Sequence, residues 1–279
     1  MSGGRWHLST KTSPPRQTKA TLARKVTVAR DSYLFTLDVP REYPEPQPGQ
    51  FVQVTTLAEL VLRRPFSVAG FRDGRHLELL VEVRGKGTRG FAEAEYGSTV
   101  DILGPLGNAF TPPAEAESAV LVAGGIGVAG LRYLAEKLLV EAHRTLALVG
   151  DRTRDALLDH LFPEPAGGGR YRVMTATDDG TAGFHGAVTS LLEDQIGRLE
   201  GNARIYACGP RAMVREVARI ASASGLPCEV LMEEIMACGV GACRGCVIET
   251  EGGYRTACKD GPVFDAADLV LAEADDDGP

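Results

Sequence analysis

The sequence predicts a multidomain fold in which an antiparallel β-barrel is followed by an α/β domain with a doubly wound parallel sheet and by a small cysteine-rich C-terminal domain. Between residues 20 and 112, short alternating or β-branched runs are broken by Pro and Gly, a pattern typical of a small antiparallel barrel. From residue 118 onward, strand-like runs alternate with helical periods, which indicates a parallel sheet with helices on both faces. Four cysteines then follow between Cys238 and Cys258.

Chain length and composition allow several hydrophobic cores. With 279 residues and 44% hydrophobic content, the chain suffices for two or three domains, which we place at residues 19–112, 113–228 and 229–270. Residues 1–18 contain Pro14 and Pro15 but no apolar run, and the chain has an acidic end from Glu273 to Asp277. We therefore expect a disordered tail before the barrel and a solvated acidic tail at the end.

Charge and hydropathy exclude two classes of partner. A net charge of −7, with no block of Lys or Arg, argues against a nucleic-acid-binding face. The longest apolar run, Ala119–Leu131, has thirteen residues and is interrupted by four glycines, so it is too short to span a bilayer. We expect a cytoplasmic protein that binds neither nucleic acid nor membrane.

Five strand-like runs predict the barrel, and no long amphipathic helix precedes residue 127. The runs are Lys25–Ala29, Tyr33–Val39, Phe51–Thr55, Leu77–Val83 and Thr99–Leu103. Two short motifs lie among them. Arg63–Ser67 is a basic strand-edge segment, and Gly85–Thr88 is a glycine turn that opens a short helix whose N–H groups can hold a phosphate. Taken singly, each motif is equally consistent with an ordinary barrel turn.

Five strands alternating with four helices predict the α/β domain. The strands are Ala119–Ala123, Thr145–Val149, Tyr171–Ala176, Arg204–Ala207 and Cys228–Met232, the last of which closes the sheet. One helix follows Gly127, two cover Asp155–Phe162 and His185–Ile196, and the fourth has Pro210 at its first position.

In such sheets, ligands bind beyond the carboxyl ends of the strands, near the point where strand order reverses. The turns expected there are Ala123–Gly127, Thr177–Gly180 and Cys208-Gly209-Pro210. In the first, Gly124, Gly125 and Gly127 let the backbone and a helix N-terminus approach a pyrophosphate. Because the G-x-G-x-x-G spacing is missing, a tight packing turn stays open as an alternative to dinucleotide binding.

The cysteine spacing predicts an iron–sulfur centre. The pattern C-x4-C-x2-C…C matches plant-type [2Fe-2S] ligation by Cys238, Cys243, Cys246 and Cys258. Glycines between them suit a loop that needs positive φ and close approach to a cluster, and these are Gly239, Gly241 and Gly245. Structural zinc, a disulfide and an incidental group of core thiols are the alternatives. Zinc usually takes two close cysteine pairs, and a disulfide needs an oxidising compartment.

Taken together, the motifs resemble those of the ferredoxin reductase superfamily. They are Arg64-Pro65-Phe66-Ser67, Gly87-Thr88, Gly104–Asn108, the Gly-Gly-Ile-Gly turn, Cys208-Gly209-Pro210 and the four-cysteine block. Within it, Met236–Cys243 and Cys258–Phe264 are similar to the electron-transfer subunits of NAD-dependent dihydroorotate dehydrogenases. This resemblance covers about residues 20–270. It implies FAD in the barrel, NAD on the α/β domain and a [2Fe-2S] cluster in the C-terminal domain.

The resemblance also implies roles for residues of the barrel. Arg64, in the motif that includes Pro65, would pair with an FAD phosphate, while Phe66 and Ser67 would lie near the flavin, Ser67 towards its N5 edge. Gly87 and Thr88 would hold the FAD pyrophosphate. The residues expected to line the flavin as well are Leu80, Val81 and Glu82.

Two positions depart from the family pattern. At Glu82 the pattern suggests a basic residue, and at Gly130 it commonly has proline. Two further assignments stay open. Phe66 is alternatively barrel core, and Cys208 lies either beside the nicotinamide or in the core as a small apolar residue.

The three cofactors make chemical sense on one chain. Nicotinamide exchanges a hydride and an iron–sulfur cluster exchanges single electrons, whereas flavin does both, so we expect no catalytic acid or base from the protein. The resemblance favours NAD over NADP. From the residues alone, Asp151-Arg152-Thr153 is ambiguous, because an acid suits a ribose 2′-hydroxyl and an arginine suits a 2′-phosphate.

The expected partner is an FMN-containing dihydroorotate dehydrogenase catalytic subunit, in a heterotetramer with two copies of each chain that serves pyrimidine biosynthesis. The chain has no room for a further flavin domain, since a TIM barrel alone needs about 250 residues. We expect the Cys238–Cys246 loop to lie at the interface. A reductase of a ferredoxin, a sulfur compound or a hydrogenase module is the alternative, and a non-catalytic iron–sulfur module is the third hypothesis.

Overall fold

The computed structural model describes residues 14–56, 59–164, 170–199 and 201–271. Both predicted tails fall largely outside this part of the chain, since residues 1–13 and 272–279 are not among the described ones. No helix within the described ranges is long and apolar enough to cross a membrane.

Six antiparallel strands form the barrel. They are β1 (Arg16–Ala29), β2 (Ser32–Asp38), β3 (Phe51–Val54), β4 (Arg64–Arg72), β5 (His76–Glu82) and β6 (Thr99–Leu106). The strands close in the order β1-β2-β5-β4-β3-β6. β1 starts earlier than expected, because Arg16 pairs with Gly104 and Thr18 with Ile102 of β6. The prediction of a disordered tail is therefore wrong for residues 16–18.

A short helix, α1 (Lys86–Glu93), connects β5 to β6 and packs against the barrel core. Its buried Phe91 stacks on Phe35 with the ring centroids 4.3 Å apart. The contact anchors α1 on the barrel. The helix starts at the glycine turn Gly85–Thr88, as the sequence predicted.

Nine strands follow the barrel. They are β7 (Ser118–Gly124), β8 (Thr145–Asp151), β9 (Tyr171–Thr177), β10 (Phe184–His185), β11 (Ala203–Cys208), β12 (Cys228–Leu231), β13 (Val247–Thr250), β14 (Gly253–Thr256) and β15 (Val263–Asp265). Seven form one sheet in the order β10-β9-β8-β7-β11-β12-β15, while β13 and β14 form a hairpin. The five predicted strands are present and parallel. The strand at Cys228 does not close the sheet, however, because β15 pairs antiparallel beyond it.

Helices cover both faces of the sheet, which confirms the doubly wound α/β fold. They are α2 (Val128–Val140), α3 (Val188–Ile196) and α4 (Arg211–Ala223). On one face, Leu131 and Leu134 of α2 share a buried cluster with Leu121 of β7. On the other, Leu191 of α3 and Val217 of α4 share a cluster with Val120 and Val122 of β7.

Three predicted helices differ from the structure. Asp155–Phe162 forms no α-helix but two short 3-10 turns, because the backbone is extended at Leu157, with ψ 135°, where it carries Leu157 and Leu158 into the core. The third helix begins at Val188 rather than His185, since Gly186 has φ 134° and His185 belongs to β10. The fourth helix, α4, begins at Arg211, so Pro210 lies just before the helix rather than at its first position. The ψ of Pro210 is extended, at 144°.

The C-terminal segment packs against both other domains. Asn108, in the loop after β6, donates to the carbonyl of Val263 at 2.8 Å and accepts the N–H of Val263 at 3.0 Å. Cys246, Ile248 and Cys258 join the apolar cluster beneath α4. The cysteine-rich segment is thus fixed beside the barrel and the sheet edge.

Candidate functional site

Two neighbouring cavities occupy the crevice between the domains. The larger, of about 830 Å³, lies between the barrel residues Ala29–Ser32 and Glu82–Arg84 and the carboxyl ends of β7, β8 and β11. The smaller, of about 220 Å³, is lined by β4 and β5 of the barrel, by the start of α2 and by the segment leading to the cysteines. Glu82, Arg84 and Ile126 line both.

An anion cradle lies at the start of α1. A Cβ on Gly87 would come within 3.1 Å of both Arg64 Nε and Thr56 Oγ1, so a glycine keeps this space open. The Thr56 hydroxyl is buried without a hydrogen-bond partner among the described residues. Thr88 does not face the space with a free hydroxyl, because its Oγ1 accepts the N–H of Arg84 at 2.9 Å and so shapes the turn. A guanidinium, an unpaired hydroxyl and a helix N-terminus are suitable ligands for a pyrophosphate.

The smaller cavity has the form expected of a flavin ring site. Its barrel wall is made of Phe51, Pro65, Phe66, Ser67 and Leu80. Phe66 also packs partly against the barrel core, with its ring 5.8 Å from that of Phe91, so both assignments for Phe66 describe part of its surface. Val81 is different. Its side chain is 1% exposed within the barrel core, so Val81 can contact a ligand only through its backbone.

A basic group does reach the position where Glu82 departs from the family pattern. Arg84, two residues further on, pairs with Glu82 at 2.8 Å and lines both cavities. Sequence reasoning missed Arg84, although side chains two residues apart on an extended segment share a face, so the spacing from Glu82 could have indicated this pair.

The glycine turn after β7 lies where strand order reverses. A Cβ on Gly127 would overlap the carbonyl of Cys208, and one on Gly209 would lie 3.0 Å from the N–H nitrogen of Gly124. These glycines pack the turns after β7 and β11 against each other. Gly125, with φ 52°, instead borders the larger cavity. A Cβ added to Gly125 would lie 3.7 Å from Asp151 Oδ2. The turn therefore serves close packing and also opens onto a ligand space.

Cys208 belongs to the core. It is fully buried, and this burial, followed by the charge of Glu233, raises the pKa of its thiol. A Cβ on Gly130 would lie 3.0 Å from Cys208 Sγ and 2.9 Å from Leu231 Cδ1. The close packing around Gly130 thus gives a steric reason for glycine where the family pattern commonly has proline. For Cys208, the assignment as a small core residue fits better than a place in either cavity. Pro210 does line the larger one.

The four predicted cluster cysteines converge on one loop, where backbone N–H groups point at their sulfurs. The donors are Val240 and Cys243 to Cys238 Sγ at 3.4 and 3.5 Å, Gly241 to Cys258 Sγ at 3.1 Å, Gly245 to Cys243 Sγ at 3.4 Å and Cys258 to Cys246 Sγ at 3.4 Å. Hydrogen bonds of this kind stabilise negative charge on thiolates and on cluster sulfur.

The sulfurs are arranged as two pairs. The thiol of Cys238 lies within hydrogen-bonding reach of Cys243 and that of Cys258 within reach of Cys246, an arrangement that suits a cluster in which each of two irons takes two thiolates. Burial opposes ionisation of Cys238, yet N–H donors lower its pKa to about 6, whereas burial raises that of Cys258 to about 12.

The loop glycines follow the prediction in part. Gly239 and Gly241 have φ of 72° and 80°, as a loop wrapped around a cluster requires. Gly245 was expected to share this conformation and does not. Arg244 takes the left-handed position instead, with φ 54°. Gly245 contributes through its N–H bond to Cys243.

All three predicted cofactor regions meet at the smaller cavity. Besides the barrel wall, it is lined by Ile126 and Ala129 near the glycine turn and by Glu233 and Met236 ahead of Cys238. Glu233 lines this cavity with an exposed side chain, and desolvation by the protein atoms around it raises the pKa of its carboxyl against the opposing charge of Arg84.

Comparison with known proteins agrees with this arrangement. Residues 19–110 match the model of the oxidoreductase FAD-binding domain, and residues 233–270 match that of the iron–sulfur cluster binding domain of dihydroorotate dehydrogenase B. The electron transfer subunit of dihydroorotate dehydrogenase B (NAD(+)) from Caldanaerobacter subterraneus is 34% identical over 91% of this chain and 98% of its own. The one from Geobacillus kaustophilus is 38% identical with the same coverage.

The chain belongs to the family of dihydroorotate dehydrogenase B electron transfer subunits. A solved structure of an NADH-dependent reduced ferredoxin–NADP oxidoreductase is also similar, with a TM-score of 0.77 and 29% identity over 94% of this chain and 91% of that one. The family match confirms the resemblance seen in the motifs. With the barrel and the matched domains, it confirms the predicted fold class and the prediction that the chain binds FAD and an iron–sulfur cluster.

Proposed function

We propose that this chain is the electron-transfer subunit of a dihydroorotate dehydrogenase complex in pyrimidine biosynthesis, carrying electrons from a partner's FMN through a [2Fe-2S] cluster and FAD to NAD. The observation that carries the proposal is the smaller cavity, where a barrel wall, the start of α2 and the segment before Cys238 meet. FAD exchanges both single electrons and hydrides, so it suits the position between a cluster and nicotinamide.

The protein's own residues would bind and orient these groups. Arg64, Thr56 and the N–H groups at Gly87 are suited to hold the FAD phosphates, and Phe66, Ser67 and Leu80 to form the walls of the ring site. These walls leave little room for water, which protects a hydride in transit. The assignment of individual residues to FAD is part of the proposal.

The larger cavity is proposed to hold the dinucleotide. Gly125 and the start of α2 offer N–H groups to a pyrophosphate, and Pro210 lines the opposite wall. Asp151 Oδ1 accepts the N–H of Arg152 at 2.6 Å, so its other oxygen stays directed towards the space beside Gly125. A carboxylate there suits the 2′-hydroxyl of NAD better than the 2′-phosphate of NADP.

A catalytic partner subunit follows from the family. We propose that it contains FMN, that two copies of each chain assemble, and that the cluster loop faces it. Cys243 is exposed, and the segment around it in the sequence carries exposed apolar side chains, Ile235 at 75%, Val240 at 45% and Val247 at 43%. Exposed apolar groups around an electron carrier are typical of an interaction surface.

Reconstitution tests the proposal. The purified chain should contain two irons and one FAD and should not oxidise dihydroorotate alone. Mixing it with a separately purified FMN-containing dihydroorotate dehydrogenase should restore dihydroorotate-dependent formation of NADH. The likeness to a ferredoxin–NADP oxidoreductase favours the second candidate, a ferredoxin reductase. Reduction of ferredoxin by the chain, with no gain of activity on mixing, would establish that candidate instead.

A further inference from the structure

Gln53 is a buried polar residue whose hydrogen bonds are missing. It lies in the middle of β3 and is 0% exposed. Neither Nε2 nor Oε1 of its carboxamide has a hydrogen-bond partner among the described residues. Because most buried polar side-chain atoms in native proteins are paired, such an orphaned amide calls for an explanation. One explanation is a bound group that pairs with the amide, and the location of Gln53 shows which group could do so.

The side chains of β3 alternate between the inside and the outside of the barrel, and this alternation directs Gln53 away from the interior. Val52 and Val54 point inward and belong to the barrel's core cluster. Phe51 points outward, lines the smaller cavity and shares an apolar cluster with Cys246 and Cys258. Since side chains two apart on a strand share a face, Gln53 lies on the same outward face as Phe51. Its amide is therefore directed towards the C-terminal segment.

The contact on that side is the cluster loop itself. A Cβ placed on Gly239 would lie 2.7 Å from Gln53 Cγ and 3.0 Å from Gln53 Nε2. Gly239 directly follows Cys238, and its φ of 72° turns the loop at this point. Gln53 thus lies against the loop beside its first cysteine, with the flavin-lining residue Phe51 two positions away on the same strand. This is the boundary between the proposed flavin site and the proposed cluster site.

We propose that the Gln53 carboxamide donates a hydrogen bond to the iron–sulfur centre at Cys238 and thereby helps to set its reduction potential. Gln53 is a positioning and tuning residue here, since it takes up no electron or proton. Each reduction adds one electron to the centre, and an N–H donor stabilises the added negative charge on sulfur. The inference rests on the proposed cluster, and it gives the barrel a direct influence on the electron carrier.

A matched pair of substitutions tests this. Gln53→Met keeps the length of the side chain but removes the donor. The control is Gln50→Met, because Gln50 is 2% exposed and its amide bonds are made within the protein, from Nε2 to the Gly107 carbonyl at 2.8 Å and from the Gln47 N–H to Oε1 at 2.9 Å. Both variants remove a buried amide from the same segment. Only Gln53→Met should change the cluster.

The measurement is a redox titration followed by electron paramagnetic resonance of the reduced centre. The midpoint potential should become more negative in Gln53→Met and stay at the wild-type value in Gln50→Met. An unchanged potential in Gln53→Met, with iron and sulfide contents equal to those of the wild type, overturns the inference and leaves an internal water as the amide's partner. A wild-type chain without iron and sulfide would instead overturn the proposed function.

A measurement on the wild-type chain covers the case in which Gln53→Met does not assemble a cluster. Glutamine labelled with ¹⁵N in its side chain, incorporated by cell-free synthesis, places labels at five positions. They are Gln17, Gln47, Gln50, Gln53 and Gln195. A pulsed hyperfine experiment on the reduced cluster should detect one coupled side-chain nitrogen in the wild type and in Gln50→Met. Absence of that coupling in the wild type overturns the inference.

Discussion

Arg132 Nη1 donates to Glu78 Oε2 at 2.6 Å across the boundary between the α/β domain and the barrel. Both side chains are nearly buried, at 9% and 10% exposure. Arg132 also donates to the carbonyls of Ala69 at 2.8 Å and Leu161 at 2.9 Å. Through these bonds, the helix that follows the glycine turn is fixed to the strands that line the flavin site, so this cluster holds the two proposed ligand sites in register.

Arg132→Met should destabilise the protein more than the loss of an exposed ion pair would. Removing the guanidinium leaves the nearly buried Glu78 paired only with Arg72, at 3.3 Å, and also takes an ion-pair partner from Glu136. Loss of one partner from a buried ion pair costs about 3–5 kcal/mol. The comparison is the double variant Arg132→Met with Glu78→Met, which removes both charges and should recover part of that loss. Urea unfolding of the FAD-loaded chain measures both. A double variant as unstable as the sum of its parts would contradict this account.

Cys246→Ser should lose the iron while keeping the flavin. Cys246 is buried within the loop and its sulfur accepts the Cys258 N–H, which suits the ligand role proposed for it. Cys228→Ser is the control, because burial raises the pKa of Cys228 to about 12 and it lies in the core of the sheet, outside the loop. Iron, acid-labile sulfide and FAD contents of the two variants check the assignment. One zinc per wild-type chain, without sulfide, would refute it.

Arg64→Met should weaken FAD binding about 10- to 100-fold, since a hydrogen bond to a charged group contributes about 1.5–3 kcal/mol. The control is Arg89→Met, which removes a guanidinium from the exposed side of α1. Flavin released from each variant during dilution gives the two dissociation constants. Equal losses in both variants would place the phosphate site elsewhere.

Much of this organisation could be predicted from the sequence, because spacing and short motifs carry local information. The cysteine pattern identified all four thiols, and Arg64–Ser67 identified the strand that lines the smaller cavity. What escaped prediction depends on contacts between distant segments. Gln53 meets Gly239 only after the C-terminal segment has docked, and Arg132 of α2 meets Glu78 of the barrel only once the two domains pack together.

Errors of local structure have similar causes. A helix was predicted at Asp155–Phe162, yet the backbone is extended at Leu157, between two 3-10 turns, and Leu157, Leu158 and Phe162 are buried in the core. Intrinsic preference over eight residues is too weak to resist such packing. Likewise, a glycine at 245 suggested positive φ, but the loop places Arg244 there instead.

NADH should be preferred over NADPH, with at least a tenfold higher kcat/KM in reduction of a dye. The Asp151 carboxylate borders the larger cavity beside Gly125, where it would accept from a ribose 2′-hydroxyl and repel a phosphate. Asp151→Asn should narrow the preference mainly by improving NADPH. Asp159→Asn serves as the control, since Asp159 does not border the cavity. Equal or better use of NADPH by the wild-type chain would be the contrary result.

The exposed apolar surface near the cluster should be the site of partner binding. Ile235 is 75% exposed and lies three residues before Cys238, so a partner seated there would bring its own cofactor close to the cluster. Ile235→Glu buries a charge in that interface and should weaken association with the FMN-containing subunit at least tenfold. Val140→Glu is the matched control, because Val140 is 84% exposed at the end of α2 and carries no role in the site.

Analytical ultracentrifugation of the mixed subunits measures the association, while reduction of a dye by NADH reports whether each variant's own flavin site is intact. If Ile235→Glu associates as tightly as Val140→Glu and still supports dihydroorotate-dependent NADH formation, the partner docks on another face and its electrons enter by a different route.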